Sequence, residues 1–167
     1  SQWIAFHSKK QFPVSVYANL PLEYLEDLDR GAQDTLKQYL ATNNITPHII
    51  IHRGHSYHLS NSLIHVTPDI KLAILGSCGG YSEIFDVQMK SPDAQVISTK
   101  QVGSKTVNEH LLSMINKNLL EEKDIKWQEL WDTPDKQLIK DKKAYAYFVD
   151  YVPPHKNIGL LVAKLYH

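Results

Sequence analysis

The stretch HRGHSYH, residues 52–58, sets three imidazoles (His52, His55 and His58) at three-residue spacing around Gly54. It directly follows HIII, an apolar run that reads as a strand. Cys78, the single cysteine of the chain, closes a second such run, IKLAILGSCGG. A thiol attacks an acyl carbon only as its thiolate. A neighbouring imidazole supplies that form by taking the proton or by stabilising the anion. Two adjacent parallel strands, each ending in one of these groups, bring them together without long loops. Gly79 and Gly80 permit close backbone approach, and their N–H groups are candidates for an oxyanion hole, with Gly54 on the opposite side. A helix capped at Ser82 would add the positive end of its dipole to the thiolate.

Other chemistries compete for the same residues. His52, His55, His58 and Cys78 together offer an N₃S zinc set. Three-residue spacing along a strand and loop, however, does not turn three imidazoles to one side as a helical H-x-x-x-H does. GSCGG between strand and helix resembles a phosphate-binding loop, but it lacks the lysine and the glycine spacing of the known ones. A lone cysteine at a strand end is also, in most proteins, a small buried hydrophobe. No metal or cofactor is expected. Arg53 suits a substrate carboxylate, but a solvated strand-end charge is the favoured reading.

These residues need elements to position them. WIAFHS and FPVSVYANL read as two short strands. Leu25, Leu28, Ala32, Leu36 and Leu40 recur at helical steps within residues 22–43, with Asn43-Asn44 as a stop. PHIIIH, IKLAILGS and QVISTK are apolar enough to be buried on both faces, as central parallel strands are. LSNSLIHV predicts a short helix capped by Ser60 or Asn61, and SEIFDVQM another. TVNEHLLSMINKNLLEE predicts a long amphipathic helix. In DIKWQELWD, Trp127 and Trp131 stand one helical turn apart, placed to pack together. AYAYFVDYV reads as a strand, and the end of the chain as a loop followed by a strand or helix. This alternation predicts an α/β fold with a mostly parallel central sheet between two helical layers. Ligands of such sheets bind outside the carboxyl ends of the strands, which is where HRGHSYH and SCGG fall.

The bulk composition narrows the function. With 167 residues, 43% of them hydrophobic, the chain can bury the core of one ordinary domain. Lys+Arg and Asp+Glu both number 18, so no basic excess points to nucleic acid or an anionic membrane surface. No run reaches the ~18 apolar residues of a membrane span. One cysteine rules out an intrachain disulfide. The chain opens on SQWIAF, already strand-like, so residues 1–167 read as a single domain, whole or cut from a longer protein.

An apolar strand ending in a His-Gly element, then an apolar strand ending in Ser-Cys with glycine after it, resembles the caspase-like (clan CD) cysteine peptidases. That group includes caspases, legumains, gingipains and clostripain. Their pattern is strand-(S/G)-H-G followed by strand-(A/S)-C-x-G; IIIHRGHSYH and LAILGSCGGY stand in those places here. The resemblance covers about residues 3–120. It implies a caspase-like three-layer sandwich and a cysteine endopeptidase working through a Cys-His dyad on a peptide or protein substrate. Cys78 falls on the nucleophile and Gly80 on the trailing glycine. The family's histidine precedes glycine, whereas here Gly54 precedes His55 and His52 lies two residues before Gly54. His55, past the strand end and beside the glycine in G-H-S, is the favoured base, with His52 and then His58 as alternatives. The resemblance also implies a substrate pocket from the following strand and loop, around Ser98, Thr99 and on to Gly103, with Arg53 nearby. A catalytically inactive caspase-like module that binds partners, or other domains of the same protein, is the second reading.

Overall fold

The computed structural model describes residues 2–10, 13–20, 28–132 and 136–157. The chain divides into two compact units: residues 1–46 with 116–124, and 47–115 with 125–167.

In the first unit, β1 (Trp3–His7) and β2 (Ser15–Asn19) form an antiparallel pair, in register from Trp3 opposite Asn19 to His7 opposite Ser15. Helix α1 (Leu28–Thr42) follows, and the predicted residues 22–27 lie outside the described residues. Asn44 stops the helix as expected, in the left-handed region at φ 55°, which asparagine tolerates well. Trp3 packs against Tyr39 of α1 at 4.5 Å between ring centroids and against Tyr17 at 6.0 Å.

The second unit carries a four-stranded sheet in the order β3-β4-β5-β6. β3 (Ile49–His52), β4 (Leu72–Leu75) and β5 (Gln95–Thr99) run parallel, while β6 (Tyr151–Val152) pairs with β5 antiparallel. The chain is thus mixed α/β with the three expected parallel strands, but β3 is an edge strand rather than a central one buried on both faces: among the described residues it pairs with β4 alone, and Ile51 is exposed. Between β3 and β4 lie a 3₁₀ turn at Ser56–His58 and α2 (Leu59–Leu63). Neither Ser60 nor Asn61 caps α2; the N-cap position is His58, and its side chain makes no cap hydrogen bond. A 3₁₀ turn at Gly80–Glu83 and α3 (Ile84–Lys90) join β4 to β5.

Side chains alternate across a strand, and the contacts follow that parity. Ala73, Leu75 and Val96, with Ile50, pack with Leu59 and Leu63 of α2 and Ile84 and Val87 of α3 in one apolar cluster. The other parity belongs to α4 (Lys105–Leu120) and α5 (Trp127–Asp132). Gln95 accepts a hydrogen bond from the Trp127 indole, and Tyr151, opposite Thr99, reaches Ser104 and Asn108. Trp127 and Trp131 take separate partners rather than each other: Trp131 stacks on Phe148, 5.3 Å between centroids.

The segment read as the strand AYAYFVDYV is instead mostly helix. After α6 (Lys136–Lys140), helix α7 (Lys142–Phe148) buries Ala144 and Phe148 one turn apart, and only Tyr151–Val152 is extended. The Asp141 carboxylate caps α7, accepting the N–H groups of Lys143 and Ala144 at 3.1 and 3.0 Å; an aspartate N-cap of this kind favours helix over strand. Beyond a 3₁₀ turn at Pro154–Lys156, the predicted final strand or helix lies outside the described residues. No helix among the described residues is long and apolar enough to cross a membrane.

Candidate active site

The parallel pairing of β3 with β4 sets His52 opposite Leu75 and brings both strand ends to one edge of the sheet. The Gly76 N–H donates to the His52 carbonyl at 2.9 Å and extends the ladder one step past the strands. From there the chain turns at Ser77–Gly79, with Gly79 left-handed at φ 67°, a conformation that glycine adopts without strain. Cys78 stands exposed on this turn.

The sulfur is held from a direction the sequence reading did not anticipate. The Gly103 N–H donates to Cys78 Sγ at 3.4 Å, and no other hydrogen bond to the thiol occurs among the described residues. Gly103 presses so close to the turn that an added Cβ would collide with the Gly76 carbonyl oxygen and the Ser77 backbone. Beneath the turn, the buried Asn108 side chain donates to the Gly76 carbonyl at 2.9 Å and accepts the Tyr151 hydroxyl at 2.9 Å. The Ser104 N–H in turn donates to the Tyr151 oxygen at 2.8 Å. Burial pushes the Tyr151 hydroxyl pKa above its ordinary value. The Ser104 hydrogen bond opposes that rise, the nearby Cys78 sulfur adds to it and the Arg53 guanidinium lessens it. Arg53 and Cys78 thus both lie within electrostatic reach of Tyr151. Arg53 is also paired with Glu109 of α4 at 3.3 Å.

The three histidines separate. His52 is buried, 6% exposed, on the α2 side of the sheet. Its Nδ1 meets the Ser62 hydroxyl at 2.9 Å and its Nε2 meets the His55 carbonyl at 3.2 Å. His55 is exposed, with its ring stacked on Tyr57 at 5.2 Å and 12°, and neither ring nitrogen hydrogen-bonds a described residue. His58 is half-buried, its ring centroid 4.2 Å from that of Tyr57. Among the described residues no group of three or more His, Cys, Asp or Glu side chains is gathered as a metal site needs, so the N₃S set does not assemble. Among the described residues no histidine nitrogen hydrogen-bonds Cys78, and the sulfur's one hydrogen-bond partner is the Gly103 backbone amide.

Three further expectations change. The Gly79 N–H donates to the Gln101 carbonyl at 2.8 Å and the Gly80 N–H to the Ser77 carbonyl at 3.2 Å, so neither amide points at a substrate. The N–H groups of Cys78 and Gly54 donate to no carbonyl among the described residues. Ser82 does not cap α3; its hydroxyl donates to the Gly79 carbonyl and to Glu83, and α3 begins only after the 3₁₀ turn. Ser98 and Thr99 are both 0% exposed and cannot wall an open pocket. The residues just after them do so: a cleft of about 320 Å³ opens between residues 102–106 and the start of α7, with Gly103, Lys105, Asp141, Lys143 and Tyr147 in its wall.

Asn108 and Tyr151 are the site residues that sequence reasoning missed, while Gly103, expected only as the far end of a substrate pocket, is also the sulfur's hydrogen-bond donor. Asn108 carried a usable signal: a polar residue beside Val107 and Leu111, on the stripe that α4 buries. Gly103 stands in VGSK just ahead of that helix. No protein-family model, curated protein or solved structure matches this chain.

Proposed function

We propose that the chain is a cysteine endopeptidase of caspase-like architecture, with Cys78 as nucleophile and His55 as its base. One observation carries this reading: an exposed cysteine stands on the turn after β4, and the parallel strand beside it leads to an exposed histidine whose ring nitrogens hydrogen-bond no described residue. The cleft wall that includes Gly103 adjoins the sulfur and gives a substrate side chain somewhere to sit. Exposure separates the candidate bases. His52 has both nitrogens engaged, while His55 is exposed and neither of its nitrogens hydrogen-bonds a described residue. Proton transfer to His55 leaves the Cys78 thiolate to attack the scissile carbonyl. The Cys78 and Gly54 amides are the donors left for the oxyanion. The imidazolium returns its proton to the departing amine, and water then releases the acyl group. The three-layer sandwich of the caspase-like peptidases belongs to the same proposal.

A second reading, a non-catalytic module of the same architecture, is favoured by the committed amides of Gly79 and Gly80. A peptide carrying an acyl-directed electrophile discriminates. Under the peptidase reading, mass spectrometry finds Cys78 modified, none in Cys78→Ala, and slower modification in His55→Ala. A folded protein left unlabelled, with calcium present or absent, overturns the reading.

A further inference from the structure

We infer that His52 is a positioning residue that fixes the backbone of the catalytic loop through its Nε2–H. The inference rests on the peptidase reading, in which His55 is the base. A carbonyl oxygen only accepts, so His52 Nε2 carries the hydrogen in its 3.2 Å contact with the His55 carbonyl. In the neutral ring Nδ1 is then an acceptor, and the Ser62 hydroxyl donates to it across 2.9 Å. Ser62 sits on α2, so the ring ties the loop back to the helix that follows it. The same His55 carbonyl also accepts the His58 N–H at 3.0 Å. Two donors on one oxygen fix the peptide after His55 and leave the imidazole of that residue outside. Gly54 lies against the same ring: an added Cβ there would touch both Cε1 and Nε2 of His52 at 3.4 Å. The loop therefore wraps around the first histidine of HRGHSYH and presents the second. This gives the H-R-G-H order a physical purpose: one imidazole is structural anchor, the next is reagent.

Amide side chains separate the two contacts. Glutamine places its nitrogen near the position of Nε2, and asparagine places its own near Nδ1. The measurement is the pH profile of Cys78 alkylation by iodoacetamide in the intact chain, which reads thiolate availability. Variants are His55→Ala, His52→Gln and His52→Asn. Alongside, ¹⁵N NMR of the wild-type histidines reports the tautomer. The expected result is that His55→Ala and His52→Asn alkylate about tenfold more slowly near neutral pH, as less of the thiol is available as thiolate. His52→Gln should stay within about twofold of wild type, and the His52 ring should carry its proton on Nε2. A folded His52→Asn with the wild-type profile, or a His52 proton found on Nδ1, overturns the inference while the peptidase reading stands. A wild-type profile in His55→Ala removes the base itself and overturns both. If His52→Asn fails to fold, the tautomer and the Gln variant decide.

Discussion

The Tyr151 hydroxyl and the Asn108 carboxamide, 43 residues apart in sequence, meet at 2.9 Å in the interior. Through this bond β6 supports α4, and through the other end of Asn108 α4 supports the turn that carries Cys78. The candidate nucleophile thus rests on a buried polar chain running from Ser104 through Tyr151 and Asn108 to Gly76. In such a chain the loss of one partner strands the others.

Tyr151→Phe should therefore cost about 1–3 kcal/mol, because the Ser104 N–H and Asn108 Oδ1 lose a buried partner. Asn108→Asp should cost more, since its carboxylate faces the Gly76 carbonyl with no hydrogen to offer. Denaturant midpoints with unchanged slopes measure both effects; a wild-type midpoint in Asn108→Asp would contradict the chain as drawn.

Alkaline stability follows from the same tyrosine. Its pKa is raised by burial above the ordinary 10.0, so the fold prefers the neutral phenol. That contribution is complete below the ordinary value and disappears as pH climbs through the higher folded one. Thermal midpoints should hold steady through neutral pH and then decline above about pH 10, and Tyr151→Phe should decline less steeply. Parallel curves for the two proteins would assign the alkaline limb elsewhere.

Two glycines should respond oppositely to alanine. Gly31 lies inside α1 with nothing within 4 Å of an added Cβ, so Gly31→Ala should stabilise by about 0.5–1 kcal/mol. Gly103→Ala drives a methyl group into backbone on the Cys78 turn. It should destabilise by about 2 kcal/mol or more and also change the alkylation rate of Cys78. Calorimetry on the pair checks the signs.

The cleft beside Cys78 carries Lys105 and Lys143 against one carboxylate, Asp141, whose Oδ1 is occupied by the cap of α7. Electrophilic peptides with an acidic side chain on the acyl side should label faster than their basic counterparts. Lys143→Glu should narrow the difference about two- to fivefold, the scale of one exposed ion pair, and added salt should do likewise. Faster labelling by the basic peptide would point the substrate side chain elsewhere.

The three parallel strands were legible because IIIH, LAIL and QVIST are apolar runs, but the edge position of β3, with Ile51 exposed, was not. α4 was legible from the spacing of Val107, Leu111 and Ile115. α7 was misread because its aromatic residues favour strands locally, while the deciding signals were the Asp141 cap and the burial of Ala144 and Phe148 on one helical face. The support of Cys78 was not legible. Gly103, Asn108 and Tyr151 act on the turn from 25 to 73 residues away, and only the closed sheet brings them there. The competition among the histidines was undecidable from spacing alone, because burial separates His52 from His55 and spacing carries no burial.

The adjacency of His52 and Arg53 has a bearing on strand registration. One reaches Ser62 of α2 and the other Glu109 of α4, on opposite sides of the sheet. Sliding β3 one residue along β4 would exchange the two sides. It would push a guanidinium among Leu59, Leu63 and Leu75 and strand an imidazole beside Glu109, and an unpaired buried charge is far costlier than the ladder bonds such a slip preserves. The dipeptide therefore acts as a latch on alignment, permitting only the pairing that leaves HRGHSYH and SCGG at the same rim.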